Sequence, residues 1–261
     1  MLLVVDIGNT NTVLGVFDKD ELLFRYRVAT NLKRTSDELV ATLFNMFGVH
    51  NVDKDKIEDT IISSVVPDIM YNWQSCNRKL FGREALIVDY KTDTGITIDY
   101  DSPREVGADR IVDSVAVFSK YGGPSIIVDM GTAITFDVIT KDGAYLGGSI
   151  APGIKIAQDG LFGSTAQLPK IELREPKSAI ATTTSESMNA GIVFGYISMI
   201  DGLVEQIMKE LRNDYHVEDD INVIATGGYS ELISVESKYI NIIEPDLMLD
   251  GLRIIYERNK K

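Results

Sequence analysis

The sequence predicts an α/β fold built from two related halves. Strand-like and helix-like segments alternate along the 261 residues. A short apolar strand near the N-terminus runs into an Asp-x-Gly loop. Past the middle of the chain the same order of strand, loop, strand, turn and strand begins again.

The elements follow in order. Leu2 to Val5 is apolar and β-branched and leads into Asp6-Ile7-Gly8-Asn9-Thr10-Asn11. Thr12 to Phe17 reads as a second strand, Lys19-Asp20 as its turn and Glu21 to Val28 as a third strand. Ser36 to Phe47 places Leu39, Val40, Leu43, Phe44 and Phe47 at helical spacing, with Thr35 or Ser36 as N-cap. A helix near Asp113 to Gly123 is expected to join the halves. Ser125 to Val128 then leads into Asp129-Met130-Gly131-Thr132-Ala133. Ile134 to Ile139 is strand-like, Lys141-Asp142-Gly143 is a turn, and Ala144 to Ile150 follows. Setting Asp6 on Asp129 without a gap aligns Val4 with Ile127, Gly8 with Gly131 and Thr12 with Thr135.

Ser185 to Arg212 is the longest helical segment. Its stripe of Met188, Ile192, Tyr196, Met199, Leu203, Ile207 and Leu211 is read as core or subunit contact. Thr183-Thr184-Ser185-Glu186 has the form of a capping box at its start. Asn222 to Ala225 is a buried strand ending in Thr226-Gly227-Gly228, and Leu247 to Arg258 is a closing helix. Lys260 and Lys261 are expected to fray. The expected domains are 1–115 with the first loop and 116–261 with the second loop and the long helix.

Composition narrows the function classes. Lys and Arg number 26 against 39 Asp and Glu, a net charge of −13, which excludes a general basic surface for nucleic acid. Local amides, an arginine or a cation still overrule that charge for a small anion, because distant charges are screened. The single cysteine, Cys76, allows no intrachain disulfide and fits a reducing cytosol. Two histidines and one cysteine do not build a zinc site of the usual kind. With 44% hydrophobic residues, neither disorder nor a membrane span is expected, and the N-terminus lacks the flanks of a signal peptide.

The loops point to phosphate chemistry. Gly8 removes a side chain where backbone must approach a phosphate, and Asn9, Thr10, Asn11 and Thr12 offer amide and hydroxyl donors. Asp6 and Asp129 each end a buried strand, where a carboxylate can hold magnesium through water. Two such loops facing each other form a phosphate clamp; the alternative is a pair of Asx-turns without a ligand. Neither a P-loop nor a dinucleotide fingerprint is present. In Gly107-Ala108-Asp109-Arg110, Arg110 can pair with a substrate carboxylate and Asp109 can accept a hydroxyl proton during phosphoryl transfer. The alternative is an exposed Asp-Arg pair at a helix start. Tyr100 and Thr184 are weaker hydrogen-bonding candidates, since such residues are commonly structural.

Taken together, these segments resemble the actin-like ATPase superfamily, and within it the type III pantothenate kinases. The resemblance spans the chain. It rests on Asp6 to Asn11, Gly107 to Arg110, Val128 to Thr135, Gly147 to Gly153, Ala166 to Pro169 and Ala225 to Tyr229. It implies two RNase H-like halves, each a mixed sheet with helices, around an interdomain cleft. It implies ATP-dependent phosphorylation of pantothenate, the first step of coenzyme A synthesis, in the cytoplasm. By resemblance, Asp6, Ile7, Gly8, Asn9, Thr10, Asn11, Thr12, Val13 and Thr132 bind ATP. Asp109 is the implied proton acceptor, and Tyr100, Gly107, Ala108, Asp109, Arg110 and Thr184 are the implied pantothenate contacts. Asp129 is the implied ligand of a monovalent cation, K⁺ or NH₄⁺, beside Mg²⁺ with ATP, in a homodimer free of nucleic acid and membrane. A kinase of the same superfamily with another small substrate, and a nucleotide-dependent regulatory protein, are the competing readings.

Overall fold

The computed structural model describes residues 1–260. Of the expected tail, Lys261 lies outside the described residues, while Lys260 reaches to 4.0 Å from the Glu257 carboxylate.

Strands β1 (Leu2–Ile7), β2 (Asn11–Asp18) and β3 (Glu21–Ala29) form an antiparallel meander. Helix α1 (Ser36–Val49) starts at Thr35, whose side chain and that of Glu38 cap each other's backbone amides. Strand β4 (Asp59–Ser64), which the sequence reading did not assign, lies parallel to β1. Helix α2 (Met70–Phe81), short strands β5 (Leu86–Ile87) and β6 (Thr97–Ile98), and helix α3 (Ala108–Tyr121) complete the first stretch. The second begins with β7 (Ser125–Met130), β8 (Ala133–Ile139) and β9 (Ala144–Pro152). It continues through α4 (Ile154–Gly163), α5 (Thr184–Asn213), β10 (Asn222–Gly227), α6 (Ser230–Ser234) and β11 (Ile242–Ile243), before α7 (Leu247–Asn259).

The expected repeat is present. The first sheet runs β3-β2-β1-β4-β5, and the second carries β9-β8-β7-β10-β11 in the matching order. In each, the central strand is antiparallel to its hairpin partner and parallel to the strand on its other side. The repeat is offset by one residue from the gapless alignment. Asp6 pairs with Val13 across its hairpin, whereas Asp129 pairs with Thr135. The first loop therefore holds one residue more than the second, and Val13, not Thr12, corresponds to Thr135. Because side chains alternate faces along a strand, this slip sends Thr12 to the other face, where it is 2% exposed.

Contacts divide the chain into Met1–Ser119 with the stretch from Leu247 onward, and Lys120–Asp246. The sequence reading ran the second half to residue 261; the closing helix α7 instead packs on β1, β2 and β4. The cause is local fit. Gly251 of α7 sits so near α3 that a Cβ there would lie 2.3 Å from the Val112 carbonyl oxygen. Tyr256 Oη donates to Asp59 at 2.5 Å, and Arg253 pairs with Asp20 at 2.6 Å. We expect Gly251→Ala to destabilise the first unit by about 1–3 kcal/mol, the usual cost of overpacking. The urea midpoint measures it.

Each unit has its own core. Leu3, Val5, Ile7, Leu14, Val16, Ile62 and Trp73 centre the first, and Ile126, Val128, Ile134, Phe136, Val193 and Ile200 the second. Cys76 is a packing residue whose thiol burial pushes up to about 12, so it is unreactive near neutral pH. The capping box at α5 is half formed. Thr183 accepts from the Glu186 amide, but the Glu186 carboxylate turns to Arg174. Helix α5 is also long and apolar enough to cross a membrane. Its Met188, Ile192, Ile197 and Val204 are buried within its own unit, the pattern of a core helix.

Candidate active site

In both units the motif residues gather at the carboxyl ends of the parallel central strands, where open α/β sheets bind ligands. In the first unit β1 ends at Asp6-Ile7. The Gly8 amide donates to the Asn11 carbonyl at 3.0 Å and closes the loop. Asn9, Thr10 and Asn11 are exposed, while Asp6, Gly8 and Val13 are half-buried and Ile7 is buried. Such a turn places polar groups beside a half-buried carboxylate, the kind of concavity that can take an anion. Thr30, just past β3, supports it: its hydroxyl donates to the Gly8 carbonyl at 2.7 Å and contacts the Thr12 hydroxyl at 2.9 Å.

The second loop is held by glycines. Asp129 ends the buried run of β7 and is half-buried, while Thr132 at the hairpin tip is exposed. A Cβ on Gly227, whose φ is +90°, would lie 2.6 Å from Asp129 Oδ1. One on Gly131 would lie 3.2 Å from Asp129 Oδ2, and one on Gly153 would lie 2.0 Å from the Thr132 carbonyl oxygen. The carboxylate thus occupies a niche that side chains would fill. Tyr196 of α5 steadies the Gly153 turn, its hydroxyl 3.0 Å from the Pro152 carbonyl oxygen and 3.2 Å from that of Gly153. Beside Asp129 on the sheet face, Thr135 donates to Asp137 at 2.9 Å, and Tyr145 donates to the same carboxylate at 2.7 Å.

Gly107-Ala108-Asp109-Arg110 forms the first turn of α3. The Arg110 amide donates to Asp109 Oδ1 at 2.9 Å. Burial pushes the Asp109 carboxyl above the ordinary carboxylate range, opposed by that amide and by the nearby Arg110 guanidinium. The Arg110 Nη2 atom is itself buried. A Cβ on Gly107 would lie 2.4 Å from Asp109 Oδ1, so glycine is what leaves room for the carboxylate. Val65 joins this turn to the first loop. Its amide donates to the Ile7 carbonyl at 3.1 Å, and its Cγ1 lies 3.8 Å from the Gly107 Cβ position. Val65 thus lies between the end of β1 and the glycine that precedes α3. We expect Gly107→Ala to displace the Asp109 carboxylate and cut kcat about 10²-fold, as misplacement by an ångström can. Steady-state turnover checks this, with circular dichroism to confirm folding.

Tyr100 is exposed between β6 and α3, and Thr184 is exposed in the first turn of α5. Their assignment rests on resemblance alone. Sequence reasoning missed Thr30, Val65, Tyr196 and the niche role of Gly227. Only Gly227, in a Thr-Gly-Gly turn after a buried strand, carried a local signal.

Two sheets of matching strand order, each with an Asp-x-Gly loop at the end of its central strand, are the fold of the actin-like ATPases and sugar kinases. Solved structures share it. A protein described as a Baf family transcriptional activator, from Campylobacter jejuni, has a TM-score of 0.61 and 19% identity, covering 98% of either chain. Component A of (R)-2-hydroxyglutaryl-CoA dehydratase, from Acidaminococcus fermentans, has a TM-score of 0.57 and 12% identity, covering 100% of this chain and 99% of that one. The family model of type III pantothenate kinase matches residues 2–206. The type III pantothenate kinase of Finegoldia magna is 50% identical over 260 residues, covering 100% of this chain and 98% of that protein. The chain belongs to the type III pantothenate kinase family. Its activity is that of the family, ATP-dependent phosphorylation of pantothenate in coenzyme A biosynthesis.

Proposed function

We propose that Asp6 to Val13 and Thr132 bind the ATP phosphates, and that Asp109 takes the proton from the primary hydroxyl of pantothenate. The observation that carries this reading is the placement of Asp109. Its carboxylate accepts from the Arg110 amide and lies where a Cβ on residue 107 would crowd it, and Val65, which donates to the Ile7 carbonyl at the end of β1, lies beside Gly107. As the hydroxyl oxygen bonds to the γ-phosphorus, the bond to the β-phosphate oxygen breaks, ADP leaves, and the hydroxyl proton passes late to Asp109. Burial raises the basicity of Asp109, which suits a base working near neutral pH. Arg110 pairs with the pantothenate carboxylate, with Tyr100 and Thr184 as further contacts.

Asp6 is the carboxylate that would hold magnesium through water, and such an ion neutralises phosphate charge. Asp129 fits a monovalent cation. Its ladder neighbours are Thr135 and Thr226, so the donors around its niche are oxygens. A cytoplasmic homodimer completes the reading. Ser187, Gly191, Gly195, Ser198 and Gly202 lie exposed along one face of α5, and a Cβ on any of these glycines would meet open space. Small residues of this kind let a second helix approach closely.

The test supplies purified protein with MgATP and pantothenate, with and without K⁺, and follows ADP and phosphopantothenate together. Equimolar products that depend on K⁺ support the whole reading. Product without K⁺ dependence removes the Asp129 assignment, and ADP without phosphopantothenate overturns the substrate roles.

A further inference from the structure

We propose that Thr30 is a positioning residue for the nucleotide, fixing the loop from Gly8 to Asn11 whose donors meet the phosphates. The proposal rests on the reading of that loop as the ATP site.

The hydrogen bonds fix their own direction. A hydroxyl carries one proton, and a carbonyl only accepts. Thr30 Oγ1 lies 2.7 Å from the Gly8 carbonyl oxygen, so the Thr30 proton goes there. The 2.9 Å contact between the Thr12 and Thr30 hydroxyls is then donated by Thr12. The order is Thr12 to Thr30 to the Gly8 carbonyl. A second tie runs from the Thr30 amide to the Thr10 carbonyl at 3.0 Å. In a trans peptide the carbonyl and the following N–H point in opposite directions. Drawing the Gly8 and Thr10 carbonyls toward Thr30 therefore turns the N–H groups of Asn9 and Asn11 away from it. One residue at the end of β3 thus sets the orientation of two amides in an anion-binding turn. The one-residue offset of the first loop makes this possible, because it puts Thr12 on the face where Thr30 lies.

Thr30→Val removes the donor to Gly8 with little change in shape. We expect it to raise the KM for ATP about tenfold, with the pantothenate KM unchanged. Thr30→Ser keeps the hydroxyl and is expected to stay within about twofold of the parent enzyme. Thr12→Val removes only the outer donor and is expected to raise the ATP KM about threefold. Thermal melts run alongside, since a merely structural role would lower Tm and leave the ATP KM unmoved. An ATP KM unchanged in Thr30→Val, or a serine variant no better than valine, overturns the proposal. If Thr30→Val does not fold, an ATP KM unchanged by Thr12→Val does the same. Asn11→Ala separates the two levels. If it raises the ATP KM while Thr30→Val does not, the positioning role alone is wrong. If neither Asn11→Ala nor Thr30→Val moves the ATP KM, the phosphate loop and the positioning role fall together.

Discussion

Asp109→Asn is expected to lower kcat about 10²–10⁴-fold, the usual contribution of a positioned general base, with ATP affinity little changed. Asparagine keeps the size of the side chain and its bond from the Arg110 amide, so the pocket is preserved. Only the capacity to accept a proton is lost. Stability moves the other way. Burial holds the folded-state pKa of Asp109 above its unfolded value, so the ionised carboxylate disfavours folding. That cost is absent below the ordinary aspartate pKa and fully present once pH rises above the folded pKa. At neutral pH the asparagine variant should therefore melt at the same or a higher temperature than the parent. Turnover and melting temperature measured on one preparation check both halves. Undiminished turnover would remove Asp109 from the base role.

Arg110→Ala is expected to act on pantothenate rather than on ATP. Removing one partner of a buried charged pair costs roughly 2–5 kcal/mol, about 30-fold to several thousand-fold. We expect the loss in the KM for pantothenate, with the ATP KM within about twofold of the parent. A protein of net charge −13 that binds two anions needs local neutralisation, and Arg110 is the cation in the first turn of α3 beside Asp109. An analogue carrying a neutral amide in place of the carboxylate provides the control. It should bind the parent and the variant alike. An unaltered pantothenate KM in Arg110→Ala would count against the carboxylate pairing.

Much of this was legible in the sequence because it is written locally. A buried apolar strand that stops at Asp-x-Gly marks both its own end and the loop's chemistry. Its recurrence at Asp129 gave the repeat that the matching strand orders display. The capping residues Thr35 and Thr183 were equally local. What stayed hidden depends on partners distant in sequence. The extra residue in the first loop is invisible to a gapless alignment and appears only when Asp6 is seen opposite Val13. The period of α7 shows that one face is apolar but not which sheet receives it; Gly251 against Val112 decides that. Thr30 lies just beyond the segment Glu21 to Val28 read as the third strand, and its contact with Gly8 spans 22 residues. Tyr196 sat in an apolar stripe, where nothing local set its hydroxyl apart from packing. Strand β4 escaped notice although Thr60, Ile61 and Ile62 are β-branched, and with it went Val65, whose amide donates to the Ile7 carbonyl.

The most direct test of the central claim, that Asp109 is the base, is the pH dependence of kcat/KM for pantothenate at saturating MgATP. A base must be ionised, so activity should be full above its folded-state pKa and fall tenfold per pH unit below it. Because burial raises that pKa, the fall should begin above the ~3.9 of an ordinary aspartate. The residual activity of Asp109→Asn should lack this limb. A rate that stays level down to about pH 4, or the same limb in Asp109→Asn, contradicts the assignment.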